Sequence, residues 1–263
     1  MARTWSSKPW SPSLGLVISG LIMAGLPASG SAGEAKIAVA ANFTGPAKAI
    51  GALFESATGH TLVTSFGATG QFYAQITQGA PFEVFLSADQ ATPAKALSEG
   101  HAVAGTAFTY AVGKLVLFSK TRGLIVGEAT LRDGKFAKIA IANPASAPYG
   151  AAAIDVMKAL GVHAALQPKI VQGNSIAQTF QFIDTGNAEL GFVALSQVVH
   201  VDTGSRWIVP ANLHAPIAQD AVLLKTGAGN DAAKAFLTFL GGPQARAVIE
   251  KFGYGVAAER ASR

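Results

Sequence analysis

Short hydrophobic runs recur along the chain, and each is followed by glycine, proline, asparagine or a small hydroxyl residue. The runs at 36–41, 61–66 and 84–86 are rich in β-branched and aromatic residues and predict strands. They lack strict alternation, which is typical of parallel sheets buried on both faces. Apolar residues on one helical face, such as Ile50 with Leu53 and Phe54, or Phe72 with Ile76, predict helices between the strands.

The same strand and helix pattern starts again after residue 113. Predicted strands lie at 113–119, 138–142, 169–172 and 190–195, with helices over 151–160 and from 176 to about 185. A late strand at 217–224 and two helices that begin near Asn230 and Pro243 end the pattern. Alternating strands and helices predict parallel sheets covered by helices on both faces. Two such sets indicate an α/β protein with two lobes, in which the late strand and the last helices return to the first lobe.

The first 33 residues have the pattern of a secretory signal peptide. Arg3 and Lys8 precede an apolar run free of acidic residues at 14–26, and small residues follow at 28–33. We expect cleavage near Ala32 or Gly33 and a periplasmic location. The run is too short and too rich in glycine for a membrane span, and the absence of cysteine excludes a lipid-anchored lipoprotein.

Charge and residue types exclude several classes of function. Without residues 1–33 the formal charge falls from +5 to +3, and the basic residues are scattered, which argues against nucleic acid binding. The five histidines show no metal-ligand spacing, so we expect no ligands for a metal cation. A chain of 263 residues without cysteine must be stabilised by its core, and its length fits one large domain or two small ones.

Four turns that join a strand to a helix hold the candidate binding residues. They lie at Asn42, Thr69, Tyr149 and Ile176, and facing lobes would bring them together at the carboxyl ends of the strands. A helix start presents free backbone N–H groups, and a hydroxyl or amide beside it completes an anion site. Taken alone, Thr69 also fits an ordinary capped turn and Asn42 an ordinary helix cap.

The chemistry of these turns favours an anion that carries no proton. They offer donors without a P-loop lysine, so nucleotide phosphate is a poor candidate. Helix dipoles and neutral donors can offset the charge of a small dianion. A ligand that keeps a proton would need an acceptor, which the turns do not offer.

Five segments resemble the periplasmic molybdate-binding proteins of ABC importers, and the resemblance extends from residue 37 to about 256. The segments are AANF at 40–43, SFGATG at 65–70, GAPFEVFLSADQ at 79–90, GFVALS at 191–196 and GPQA at 242–245. The resemblance implies a two-lobed periplasmic-binding-protein-like fold, in which each lobe is a mostly parallel sheet flanked by helices and two hinge strands join the lobes. The predicted division is 34–113 with 222–263 for lobe 1 and 114–221 for lobe 2.

The same resemblance implies the ligand and its contacts. Asn42 matches a Ser or Asn ligand, Thr69 a Ser that binds through its hydroxyl and N–H, and Ile176 a Val that offers its backbone N–H. Tyr149 lies where some members use a Tyr, whereas Ala194 departs from members that place the Tyr there, so we leave Ala194 out of the site. The implied function is a monomeric, non-enzymatic receptor without a cofactor, which binds molybdate or tungstate and delivers it to a membrane ABC permease.

Three alternatives stay open. A sulfate receptor would use similar neutral donors in a smaller cavity. A secreted hydrolase would use Ser175 or Ser146 as a nucleophile, although the sequence shows no convincing His and Asp partners. A ferric-iron receptor of the same general fold would need clustered tyrosines, and the four tyrosines of this chain are dispersed in the sequence.

Overall fold

The computed structural model describes residues 1–6 and 32–255. Residues 1–6 are exposed and contain no helix or strand. Most of the predicted signal peptide lies outside the described residues. None of the helices in the described ranges is long and apolar enough to cross a membrane.

Two five-stranded sheets form the framework of residues 32–255. The first sheet has the order β2-β1-β3-β10-β4 and the second the order β7-β6-β8-β5-β9. The strands of the first sheet are β1 (Glu34–Ala40), β2 (Thr61–Gly67), β3 (Val84–Leu86), β4 (Phe108–Gly113) and β10 (Ile217–Leu223). The strands of the second sheet are β5 (Leu115–Ser119), β6 (Ile139–Ala142), β7 (Ile170–Gly173), β8 (Leu190–Ala194) and β9 (Ser205–Ile208).

Both sheets are mixed, with the same arrangement of parallel and antiparallel neighbours. β1 pairs in parallel with β2 and β3, while β10 pairs antiparallel with β3 and β4. β6 likewise pairs in parallel with β7 and β8, while β5 pairs antiparallel with β8 and β9. The sheets are therefore less parallel than the sequence pattern predicted, because each receives two strands from the connections between them.

Helices cover the sheets and bury one apolar face each. They are α1 (Thr44–Thr58), α2 (Thr69–Thr77), α3 (Ala91–Ser98), α4 (Ala129–Asp133), α5 (Pro148–Ala159), α6 (His163–Leu166), α7 (Ile176–Asp184), α8 (Leu195–Val198), α9 (Asp231–Leu240) and α10 (Pro243–Lys251). In α1 the predicted face is correct at Ile50 and Phe54, which are fully buried in one cluster with Ile37 of β1, and wrong at Leu53, which is 41% exposed. Predicted capping by Asn230 is also correct, because its Oδ1 accepts a hydrogen bond from Ala232 N–H at 2.9 Å.

The chain passes between the sheets twice. The first crossing is at Lys114, between β4 and β5, and the second is residues 209–216, which include the 3₁₀ turn Ala211–Leu213. The first crossing is thus nearly continuous strand, whereas the second is a loop. β10 lies in the first sheet from Ile217 onward, although the predicted limits assign residues 217–221 to the second lobe. Those lobe limits stay a prediction about how the chain divides.

Candidate functional site

Four helix starts converge on one pocket, and they carry the four candidate residues. Thr69 is the first residue of α2, Tyr149 the second residue of α5 and Ile176 the first residue of α7. Asn42 lies in the 3₁₀ turn Ala41–Phe43 that leads into α1. All four line the same small pocket. The structure therefore brings together every residue that the sequence proposed for the site.

The pocket is neutral and rich in donors. Its lining consists of Ala40, Ala41, Asn42, Gly67, Ala68, Thr69, Ala88, Ala147, Pro148, Tyr149 and Ile176. None of these side chains is ionised at neutral pH. The first N–H groups of a helix lack acceptors within the helix, and in the described residues those of Thr69, Tyr149 and Ile176 have no protein acceptor. This arrangement suits an anion held by N–H groups and helix dipoles.

The Thr69 hydroxyl is oriented as a donor to the pocket. Its Oγ1 accepts a hydrogen bond from Ala88 N–H at 3.0 Å, and the residue is buried. A hydroxyl has one proton and two acceptor lone pairs, so the bond from Ala88 leaves that proton available. The side chain and the free N–H of Thr69 can then both donate to one ligand.

The sequence suggested that the Asn42 side chain acts as a helix cap or as a ligand. In the structure its amide group is instead hydrogen-bonded within the protein. Its Nδ2 donates to Gln219 Oε1 and to Tyr254 Oη, both at 2.9 Å, so both amide hydrogens are engaged by the protein. Its carbonyl oxygen accepts from Ser196 Oγ and Tyr254 Oη, both at 2.8 Å. What Asn42 can offer a ligand in the pocket is its main-chain N–H.

Tyr149 is almost completely buried, with its phenol at the boundary of the two sheets. Its Oη accepts a hydrogen bond from Gln219 Nε2 at 3.1 Å. A Cβ on Gly113, the last residue of β4, would lie only 2.0 Å from that Oη. Burial raises the pKa of the Tyr149 phenol well above its usual value, with the neighbouring phenols of Tyr254 and Tyr110 adding to the effect. The group is therefore a neutral donor at physiological pH.

The start of α7 is held by two side chains. Ser175 Oγ caps the helix by accepting from Gln178 N–H at 3.3 Å, and Gln197 Nε2 donates to the Ile176 carbonyl at 3.0 Å. Ser175, one of the two serines that a hydrolase would use, thus has a capping role. Ala194 ends β8 and is fully buried, but it is not among the residues that line the pocket.

A wider cavity of about 300 Å³ adjoins the pocket and opens toward solvent. Gly70 N–H, on α2, donates across it to the carbonyl of Ser146 at 2.9 Å. The Ser146 Oγ, the other hydroxyl considered as a nucleophile, is buried without a hydrogen-bond partner. Asp89 and Asp155 also line the cavity, which makes its outer part acidic while the inner pocket is uncharged.

A buried polar network behind the pocket was missed from the sequence. It links Asn42 to Gln219, Tyr110, Tyr254 and Ser196 through the hydrogen bonds given above and through Tyr110 Oη, whose single proton lies within reach of both Gln219 Oε1 and the Ser87 carbonyl, each at 3.0 Å. Gln219 is fully buried. The sequence did contain a signal for this network, namely Gln219, a polar residue inside the apolar strand pattern of 217–224. A polar side chain buried in such a strand needs a hydrogen-bond partner.

Three of the four tyrosines meet in this network, although they are dispersed in the sequence. Burial raises the pKa of Tyr110 well above its usual value and that of Tyr254 to about 12, so these phenols stay protonated. Within residues 1–6 and 32–255, no group of three or more His, Cys, Asp or Glu side chains could hold a metal ion.

Comparisons with known proteins show the family to which this chain belongs. The family model for bacterial extracellular solute-binding proteins matches residues 35–255. The molybdate-binding protein ModA of Rhodobacter capsulatus is 57% identical over 233 residues, which are 89% of this chain and 92% of the relative. ModA of Azotobacter vinelandii is 54% identical over 235 residues, covering 88% and 93%. The solved structure of the Azotobacter vinelandii periplasmic molybdate-binding protein matches with a TM-score of 0.82 at 41% identity, covering 85% of this chain and 99% of that chain.

Proposed function

Because the chain belongs to the bacterial extracellular solute-binding proteins, and among them to the periplasmic molybdate-binding proteins, we propose that it captures molybdate in the pocket at Thr69 and Tyr149 and delivers it to an ABC permease. The two-lobed periplasmic-binding-protein fold predicted from the sequence is confirmed by the structural match. The family consists of binding proteins, so the prediction that the chain is not an enzyme is also confirmed.

The convergence of the four helix starts carries the proposal. Asn42, Thr69, Tyr149 and Ile176 all line one uncharged pocket, and we propose that the hydroxyl and N–H of Thr69, the phenol and N–H of Tyr149, and the N–H groups of Ile176 and Asn42 are the donors to the ligand. A tetrahedral dianion presents four oxygens that only accept hydrogen bonds, which matches a site that only donates. Helix dipoles then offset the charge without Lys or Arg.

Tungstate is the second ligand that we propose, because it is a tetrahedral dianion of nearly the same size as molybdate. Sulfate is smaller, so its oxygens would not reach all of the donors at once.

We propose that the first sheet, with Asn42 and Thr69, and the second sheet, with Tyr149 and Ile176, close on the anion by bending at Lys114 and residues 209–216. We also propose export by the cleavable signal peptide and a monomeric receptor in the periplasm.

Titration calorimetry of the purified protein with molybdate, tungstate, sulfate and phosphate in turn tests the proposal. We expect tight binding of the first two anions and weak or absent heat with the others. A preference for sulfate would keep the receptor class and overturn the substrate. No heat with any of the four would overturn the proposed site.

Replacing Thr69 by alanine removes a hydroxyl that we expect to donate to the anion. The expected loss of binding free energy is roughly 1.5–3 kcal/mol, the scale of a hydrogen bond to a charged group. Thr69→Ser keeps the hydroxyl and serves as the matched control, with affinity close to that of the wild type. Equal affinities for the alanine and serine variants would remove the Thr69 hydroxyl from the site.

Molybdate affinity should be independent of pH between about pH 7 and 9, where free tyrosine is still protonated. The donors that we propose for the anion are N–H groups, the Thr69 hydroxyl and the Tyr149 phenol. The raised pKa of that phenol keeps its proton throughout this range and shifts any loss to still higher pH. The dissociation constant measured across the range checks this, and a progressive weakening toward pH 9 would contradict a neutral, protonated site.

A further inference from the structure

Ser196 is the last residue of the GFVALS segment, and the proposed anion site gives it no role. It is the second residue of α8, which packs on β5 and β8 of the second sheet. Its Oγ donates to the carbonyl oxygen of Asn42 at 2.8 Å and lies 3.0 Å from Tyr254 Oη. Asn42 lies between β1 and α1, so this side chain joins an element of the second sheet to elements of the first. The same holds whichever of the two oxygens receives the serine proton.

The segment 252–255, which follows α10, adds contacts with the same part of the second sheet. The Phe252 ring meets the His200 ring edge-on, with the centroids 5.3 Å apart. Gly253 has a φ of 83°, and a Cβ there would lie only 2.8 Å from Leu195 Cδ2. Glycine therefore allows both the left-handed backbone and the close approach to α8.

The other end of this segment is tied to the first sheet. Gly255 and Val112 of β4 exchange two backbone hydrogen bonds, at 2.7 and 2.9 Å. The Tyr254 ring packs edge-on against Phe43, with the centroids 5.4 Å apart, in the core cluster that contains β1 and β4 residues. These contacts form a clasp between the two sheets, behind the pocket. The clasp consists of Leu195, Ser196 and His200 on the side of the second sheet and of Asn42, Phe252, Gly253 and Tyr254 on the side of the first.

We infer that Ser196 is a positioning residue: through the clasp it holds the two sheets in the arrangement in which the four helix starts converge on the anion. The inference rests on the proposed function and names a part of the chain that controls closure without touching the ligand. A hydrogen bond between two oxygens holds only at about 2.5–3.0 Å, so a rotation of one sheet against the other breaks the bond from Ser196 to Asn42. The bond from Gly70 N–H to the Ser146 carbonyl, across the outer cavity, is present in the same conformation.

Ser196→Ala tests the clasp. The Asn42 carbonyl keeps Tyr254 Oη as a partner at 2.8 Å, so the substitution leaves no buried acceptor alone. We expect molybdate affinity to fall about fivefold, the factor that corresponds to one neutral hydrogen bond present only in the closed arrangement. Calorimetric titration of the purified protein gives the dissociation constant, and thermal unfolding without ligand reports on stability.

Ser98→Ala is the matched control. Ser98 Oγ also donates to a backbone carbonyl, that of Lys95 at 3.0 Å, but both residues belong to α3 and the bond does not join the two sheets. This variant should bind molybdate like the wild type. Without ligand, Ser196→Ala should unfold at a temperature close to that of Ser98→Ala, because the inference assigns the Ser196 bond to closure and not to the stability of either sheet.

His200→Ala tests the clasp at a second contact. His200 is exposed, so the substitution removes its contact with the Phe252 ring without opening a cavity in the core. We expect about threefold weaker molybdate binding, within the range for an aromatic pair. If Ser196→Ala does not fold, this variant decides alone, and affinity equal to that of the wild type overturns the inference.

Three results with Ser196→Ala would overturn the inference. They are unchanged affinity, a loss of affinity that Ser98→Ala shares, and a loss that is matched by an equal loss of stability without ligand. The wild-type protein is measured first with molybdate. Absence of binding there would overturn the proposed function itself, whereas normal binding by both the wild type and Ser196→Ala would overturn only the role of the clasp.

Discussion

Replacing Gly113 by alanine should weaken molybdate binding roughly 1,000-fold. The new Cβ would lie 2.0 Å from Tyr149 Oη and 2.7 Å from Gln219 Nε2, so the phenol must leave its position. Overpacking typically costs 1–3 kcal/mol and a lost hydrogen bond to a charged group 1.5–3 kcal/mol, which together give about 4 kcal/mol. At 1.4 kcal/mol for each factor of ten, that is about three orders of magnitude. Calorimetric titration with molybdate measures the effect.

Gly229→Ala is the matched control for this substitution. A Cβ at Gly229 would have no heavy atom within 4 Å, and the backbone there is not in the left-handed region. This variant should bind like the wild type. If Gly113→Ala also bound like the wild type, the close approach of Tyr149 to β4 would be irrelevant to the ligand, and the phenol would have to be removed from the proposed site.

Replacing Gly70 by alanine should weaken binding about 100-fold by obstructing closure of the cleft. The new Cβ would lie 3.0 Å from Ser146 Cα and 3.2 Å from Ser146 Cβ, on the far side of the cavity. The contact should cost about 2 kcal/mol in overpacking and about 1 kcal/mol for the weakened bond from Gly70 N–H to the Ser146 carbonyl. Calorimetry gives the affinity, and small-angle scattering with and without molybdate shows whether the ligand still makes the molecule more compact.

The Gly70 variant separates binding from stability. Gly70 is the second residue of α2, where alanine is a better helix former than glycine, so thermal stability without ligand should not fall. Gly51→Ala, inside α1, is the control for a helical glycine, because its Cβ would meet only Leu62 at an ordinary 3.6 Å. A loss of stability in Gly70→Ala that matched its loss of affinity would point to a folding defect and contradict the closure argument.

The pattern along the chain was sufficient to locate the helix starts that form the site. Each strand ends at a glycine, asparagine, proline or hydroxyl residue, and these signals act within a few residues of the chain. The boundaries were less accurate: α2 and α5 begin at Thr69 and Pro148, two and three residues before the predicted starts at 71 and 151. The earlier starts place Thr69 and Tyr149 in the first turns, where their N–H groups are free.

Strand pairing and buried contacts depended on the tertiary structure. β4 and β9 were not predicted as separate strands, and the mixed character of both sheets arises from pairings with β10 and β5, which are distant in sequence from their neighbours. Such pairings depend on the late return of the chain to the first sheet, which a local pattern indicates only in outline.

What the sequence by itself determined is the set of helix starts, the neutral chemistry of their residues and the family, because these follow from local turn chemistry and from motifs that span nearly the whole chain. What only the tertiary structure decided is how those residues act. The bond from Asn42 to Gln219 joins residues 177 positions apart, and the bond from Asn42 to Tyr254 joins residues 212 positions apart. A hydrogen-bond partner is set by position in space, so no local pattern could show that the Asn42 side-chain amide is engaged by the protein.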